Sequence, residues 1–200
     1  MAEGVFDLAL QDWQSVEGCT ELERYWAQSK EKREGEEIVG ELAAQAGAHR
    51  RIVDLGCGTG RLIAWLPAFD RYDGYDMAPH MLELASEAYK ADRRCRFTLH
   101  DADNGAPYRG TADLLISIDT SRHYHDPLGF LSMVVAKWPA QWYLFTILHG
   151  PEAQELINGQ VVTTTALDAA QPGWGRVAAT LEQPLAGSPW LVRYVLIEKA

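Results

Sequence analysis

Residues 51–60 read Arg51-Ile52-Val53-Asp54-Leu55-Gly56-Cys57-Gly58-Thr59-Gly60, and this stretch decides the fold. A short apolar run ending in glycine is a buried strand running into a sharp turn. Residues 61–69 are predicted to be the helix that follows. The pattern then repeats. Strands are expected at 71–76, 95–101, 112–119 and 141–148, with helices at 79–91 and 126–138 between them. Alternating strands and helices mean an α/β protein with a doubly wound, mostly parallel sheet covered on both faces.

Outward from this centre the pattern changes. Upstream, Thr20 and Glu23 have capping-box spacing and predict a helix through Leu22, Tyr25 and Trp26. A second helix is expected at 36–46, after an interruption at Gly35. Residues 1–47 are read as an N-terminal helical cap and residues 48–200 as the sheet domain. Downstream, a short helix near Thr164–Ala170 precedes two strands, 176–184 and 190–200, whose short connection predicts an antiparallel pair.

Composition narrows the function. The chain has 200 residues and a formal net charge of −10, which does not favour a polyanion partner. Residues 1–47 carry 11 acidic and 4 basic side chains, so most of the excess lies in the cap. Glu34, Glu37 and Glu41 share a helical face that is expected to meet water. The basic cluster Lys90, Arg93, Arg94 and Arg96 precedes the third strand and reads as a solvated turn. Cys19, Cys57 and Cys95 form neither a disulfide framework nor a zinc set. No secretory signal and no apolar run long enough to cross a bilayer is seen, so a cytoplasmic protein is expected.

In open α/β sheets, ligands bind at the carboxyl ends of the strands. The glycine loop sits at such an end. It lacks the Lys-Ser/Thr of a phosphate loop, and the third glycine of a dinucleotide fingerprint would fall at Arg61. Asp76 ends the second strand, where a carboxylate can accept from both ribose hydroxyls.

With these residues in place, the chain resembles the class I S-adenosylmethionine-dependent methyltransferases, small-molecule type. Ile52–Gly60 looks like the family's first motif, Gly74–Ala85 its second, His100–Ala102 its third, and Ala112–Pro127 its fourth-strand motif. The resemblance implies a Rossmann-like, doubly wound sheet of seven strands, mostly parallel with an antiparallel C-terminal strand. It implies S-adenosylmethionine as cofactor. Asp54, Gly56, Cys57, Gly58 and Gly60 would lie at its methionine part. Asp76 would hold its ribose, and Met77, Asp101 and Ala102 its adenine, with Asp103 competing for the role of Asp101. Ser117 and Ile118 would face the sulfonium.

Candidate bases cluster after the fourth strand: Asp119, His123, His125 and Asp126. His123 aligns with the family's frequent histidine and is either a general base or a structural residue. Trp13, Tyr25, Trp26 and His149 are the candidate substrate-pocket residues, and Lys30 or Arg33 would meet the cofactor carboxylate. No metal is expected, because the second acidic cluster of the cation-dependent relatives is missing. The motifs of DNA methylation are absent as well. The expected activity is transfer of a methyl group to O or N of a small-molecule acceptor, with neither nucleic acid nor membrane as partner, in a monomer or homodimer. The alternatives are a non-catalytic cofactor-binding regulatory protein and a protein methyltransferase.

Overall fold

The computed structural model describes residues 15–47, 49–102, 110–156 and 159–199. Five α-helices are seen among them: α1 (Val16–Gln28), α2 (Lys30–Gln45), α3 (Pro79–Ala88), α4 (Pro127–Lys137) and α5 (Thr164–Ala170). The strands are β1 (Arg51–Leu55), β2 (Arg71–Asp76), β3 (Cys95–Leu99), β4 (Ala112–Ser117), β5 (Ala140–Gly150), β6 (Gln154–Leu156), β7 (Gly159–Thr163), β8 (Arg176–Pro184) and β9 (Leu191–Glu198). Trp13 and Asp103 lie outside the described residues.

The order β3-β2-β1-β4-β5 is parallel throughout. Strand β9 then runs antiparallel to β5, and β8 antiparallel to β9. Among the described residues nine strands form where seven were expected. The two additional ones are the short β6–β7 hairpin, joined to the sheet where His149 and Gly150 of β5 pair with Val162 and Thr163. So small an addition leaves almost no periodicity to read.

The sheet is buried on both faces, as its apolar strands require. On one face Val53, Leu115 and Phe145 pack against Phe130, Leu131 and Val134 of α4. On the other, Ile52, Leu114 and Leu144 pack against Val39, Leu42 and Ala43 of α2.

Three local expectations need correction. Helix α1 starts at Val16 rather than Thr20, because the Ser15 hydroxyl accepts from the Gly18 N–H at 3.0 Å. Thr20 sits inside the helix and donates to the Val16 carbonyl. Helix α2 begins at Lys30, capped by Ser29, and runs through Gly35. A Cβ there would stand 2.5 Å from the Tyr194 hydroxyl, so this glycine serves close packing on β9. Finally, the helix expected after the glycine loop is only a four-residue 3₁₀ turn, Arg61–Ala64. Pro67 disfavours helical geometry at Leu66 and has no N–H to donate.

Candidate functional site

The site lies at the carboxyl ends of β1, β2, β4 and β5, under α1 and the start of α2. Two adjoining cavities share Trp26, Lys32, Gly56, Ile118, Asp119 and Arg122. The first extends from the glycine loop across β4 to Thr146, Leu148, Val192 and Tyr194. The second holds Asp76, Met77, His100, Ala102 and His123.

The glycine loop follows from β1. Gly56 has φ 83° and would meet the Thr120 hydroxyl at 2.1 Å if it carried a Cβ, so only glycine fits. Gly58, at φ 52°, lines the first cavity, and a Cβ there would meet nothing within 4 Å. That open space beside a bare backbone suits the close approach of a ligand.

Asp76 fastens the loop to the end of β2. Its Oδ2 accepts from the Gly58 N–H at 2.7 Å and its Oδ1 from the Ala78 N–H at 2.8 Å. Burial raises its pKa, and these backbone donors oppose the rise. Each oxygen keeps a lone pair for a further donor, and the carboxylate lines the second cavity. Beside it Met77 is 47% exposed, an apolar shelf at the cavity wall.

Asp54 is placed differently from the expectation of a cofactor contact. It is fully buried, lines neither cavity, and accepts from the Tyr72 hydroxyl at 2.6 Å. Burial pushes its pKa up to about 7; the Tyr72 bond opposes the rise and the Asp76 charge adds to it. Its other oxygen has no hydrogen-bond partner among the described residues.

Cys57 lines the first cavity, but burial first, then Asp54 and Asp76, hold its thiol well above the usual value. The thiol stays neutral and is no nucleophile. Gly60 supports the loop's last turn at φ 78° and lines neither cavity.

After β4, Ser117 is buried and donates to the Leu55 carbonyl at 2.9 Å, away from both cavities, while Ile118 lines both. Asp119 adopts φ 59°, and its N–H donates to the Thr146 hydroxyl at 2.6 Å. Lys32 reaches it from α2 in an ion pair. Burial alone would raise the Asp119 pKa. Lys32, with Arg122 and His123, overrides this and holds the carboxyl well below the usual range.

The α1 and α2 side of the cleft is pinned to the glycine loop. Glu23 accepts from the Thr59 hydroxyl, and Glu36 accepts from Arg61 at 2.9 Å and from Trp65 at 3.0 Å. Tyr25 and Trp26 line the first cavity. Lys30 instead pairs with Glu34 in solvent, and Arg33 is exposed. Glu34, Glu37 and Glu41 are exposed too, as their shared face predicted.

His149 is corrected. It is buried and lines neither cavity; Nδ1 lies 2.9 Å from the Thr164 hydroxyl and Nε2 3.2 Å from Glu182. Side chains alternate along β5, so Thr146 and Leu148 face the first cavity and His149 turns to the opposite face. Burial, then Arg193, lowers its pKa. Asp101 lies outside both linings, whereas its neighbours His100 and Ala102 are in the second. Asp126 caps α4, and His125 is exposed near Glu155. Cavity-lining residues that the sequence did not single out include Lys32, Arg122, Thr146 and Tyr194. Only Lys32 had a usable signal, one helical turn before Glu36.

Residues 52–135 match a family model described as a methyltransferase domain. No curated protein matches the sequence. Among solved structures, the chain is similar to the N-methyltransferase NodS from Bradyrhizobium japonicum, in complex with S-adenosyl-L-homocysteine. The TM-score is 0.70 at 14% identity, over 90% of this chain and 97% of that one. It is similar to the magnesium protoporphyrin IX methyltransferase from Synechocystis (TM-score 0.66, 16% identity, 86% of each chain). It is also similar to the [4+2]-cyclase SpnF (TM-score 0.65, 12% identity, 82% and 81%). Residues 52–135 thus match a methyltransferase domain, and the chain as a whole has the Rossmann-like fold of these enzymes.

Proposed function

We propose that the protein transfers a methyl group from S-adenosylmethionine to O or N of a small-molecule acceptor. The observation that carries this reading is the meeting of two cavities at Ile118 and Asp119, one holding the ribose-type acid Asp76 and the other walled by Tyr25 and Trp26. Asp76 and Met77 hold the adenosine part, and Gly56 and Gly58 pass beneath the methionine part. Asp54, Gly60 and Ser117 shape the loop and strand ends. The cofactor brings an activated methyl group, so the protein's task is to position the acceptor and exclude water.

Residues 15–47 serve as the lid. Glu23 and Glu36 hold it on the glycine loop, and Trp26 covers the junction of the cavities. His123 is the proposed base for a hydroxyl acceptor. It is exposed, lines the second cavity and lies close enough to Asp119 to influence its charge.

Calorimetry tests the cofactor. S-adenosylmethionine and S-adenosylhomocysteine are expected to bind near about micromolar affinity. Failure of both, while NAD binds, overturns the reading. The cyclase among the structural neighbours shows that this fold alone does not specify transfer. Release of S-adenosylhomocysteine in the presence of acceptor separates an enzyme from a cofactor-binding regulator. His123→Ala should lower turnover by about 10²-fold or more if the residue is a base; a change under about threefold makes it structural.

A further inference from the structure

We propose that Arg122 binds a carboxylate on the methyl acceptor, so that the acceptor is an organic acid with an apolar body; this rests on the methyltransferase reading of the cleft. Three Lys or Arg side chains line the cavities, Lys32, Arg61 and Arg122. Two are already neutralised. Lys32 is paired with Asp119, and Arg61 with Glu36 at 2.9 Å and Glu23 at 3.5 Å. Among the described residues Arg122 forms no ion pair, and its Nε is buried without a hydrogen-bond partner.

A buried donor on a charged group is costly to leave unpaired. The planar guanidinium is shaped to bind a carboxylate through two parallel hydrogen bonds. The charge of Arg122 already acts on Asp119, but its buried Nε still lacks an acceptor and presents an unmet demand for a hydrogen-bonding anion inside the cleft.

Its position assigns that anion to the acceptor. Arg122 comes from the short 3₁₀ turn Ser121–His123 after β4 and lines both cavities, whereas Arg61, which follows the glycine loop where the cofactor's methionine part is placed, lines only the first. Around it the cavity walls include Tyr25, Trp26, Ile118, Leu148, Leu185 and Val192, a surface for an apolar body. Asp119 and Glu31 line the same cavity. With Glu36, which pairs with Arg61, they balance the three cations, so a dianion is opposed more strongly than a carboxylate.

The test uses the full chain saturated with S-adenosylhomocysteine, with benzoate, benzamide and phenyl phosphate as probes in calorimetry. Benzoate is expected to bind about tenfold or more tightly than either of the others. Arg122→Gln is expected to bring benzoate within about threefold of benzamide and to leave the affinity for S-adenosylhomocysteine within about threefold. Arg122→Lys keeps the charge and loses the fork, and is expected to weaken benzoate by about threefold or more. Equal binding of benzoate and benzamide to the wild type overturns the proposal but not the cofactor reading. Tighter binding of phenyl phosphate overturns the carboxylate assignment. A loss of S-adenosylhomocysteine affinity in Arg122→Gln, with benzoate unaffected, reassigns Arg122 to the cofactor and overturns it too. If S-adenosylhomocysteine never binds the wild type, the cofactor reading itself fails, and that appears before any probe is added.

Discussion

Lys32 of α2 and Asp119 of the loop after β4, 87 residues apart in sequence, form an ion pair that stands between the two cavities. Asp119 is held there in left-handed backbone geometry, which costs a non-glycine residue about 1–2 kcal/mol. The Thr146 hydroxyl fixes its N–H and Lys32 its carboxylate. Lys32 also lies 5.5 Å from the Trp26 ring centroid, so one cation joins α1, α2 and the cleft floor.

Replacing Lys32 by Met should therefore destabilise the fold at neutral pH. Both side chains are about 30% exposed, so the loss is set at ~1–2 kcal/mol, below that of a fully buried pair. The folded Asp119 has a lowered pKa, so its stabilisation is complete above the unfolded value of about 4 and declines as pH falls below it. Urea denaturation should show the gap between wild type and variant closing as pH is lowered from about 5 toward 2. A gap independent of pH would place the effect elsewhere, in the lost packing on Trp26.

Asp54 gives the opposite sign. Its pKa is raised in the folded state to about 7, so the native protein holds a proton that the unfolded chain releases near pH 4. Stability should fall as pH rises from about 4 to 7, with the full cost present above that range. Asp54→Asn keeps an acceptor for Tyr72 and removes the charge, and should flatten this limb. Tyr72→Phe removes the donor that favours the ionised form, and should move the limb to higher pH. Denaturation midpoints from pH 5 to 8 would decide; a slope that survives Asp54→Asn belongs to another group.

Gly56 and Gly58 should separate folding from binding. Gly56→Ala drives a methyl group into the Thr120 side chain at positive φ and should cost more than ~2 kcal/mol of stability. Gly58→Ala meets open space and should cost only ~1–2 kcal/mol for its backbone geometry. If that space is the cofactor's, Gly58→Ala still weakens S-adenosylhomocysteine by about tenfold or more. Melting and calorimetry on both variants separate the two effects.

Gly35 and Tyr194 should be coupled. Alanine normally favours a helix interior over glycine by about 1 kcal/mol. At position 35 the new Cβ would meet the Tyr194 hydroxyl at 2.5 Å but the ring carbon bearing it at 3.6 Å, an ordinary contact. Gly35→Ala should thus destabilise, and adding Tyr194→Phe should recover part of the loss. The double-mutant cycle measures this coupling directly; additive effects would mean that α2 shifts instead.

Much of the architecture was legible because it depends on neighbouring residues. The strands at 71–76 and 176–184 and the helix at 164–170 fall where their patterns put them. So does the antiparallel pair at the end of the sheet. The candidate site residues divide by where the structure places them. Gly56, Gly58, Asp76, Met77, Ile118, Tyr25 and Trp26 line the cleft, while Asp54, Asp101, Ser117 and His149 do not. His149 failed by a single step of strand alternation. At the end of a long strand that step cannot be counted until the partner strands β7 and β9 set which face is which.

The alternation of strands and helices, the glycine turn after β1 and the acid at the end of β2 are all written in the local order of residues. These are matters of spacing within a few residues. Only long-range packing settles that Lys32, rather than Lys30 or Arg33, enters the cleft, that Asp119 is its partner, and that Arg122 forms no ion pair there among the described residues. Those outcomes depend on how α2 docks across strands far away in the chain, where packing and charge are settled together.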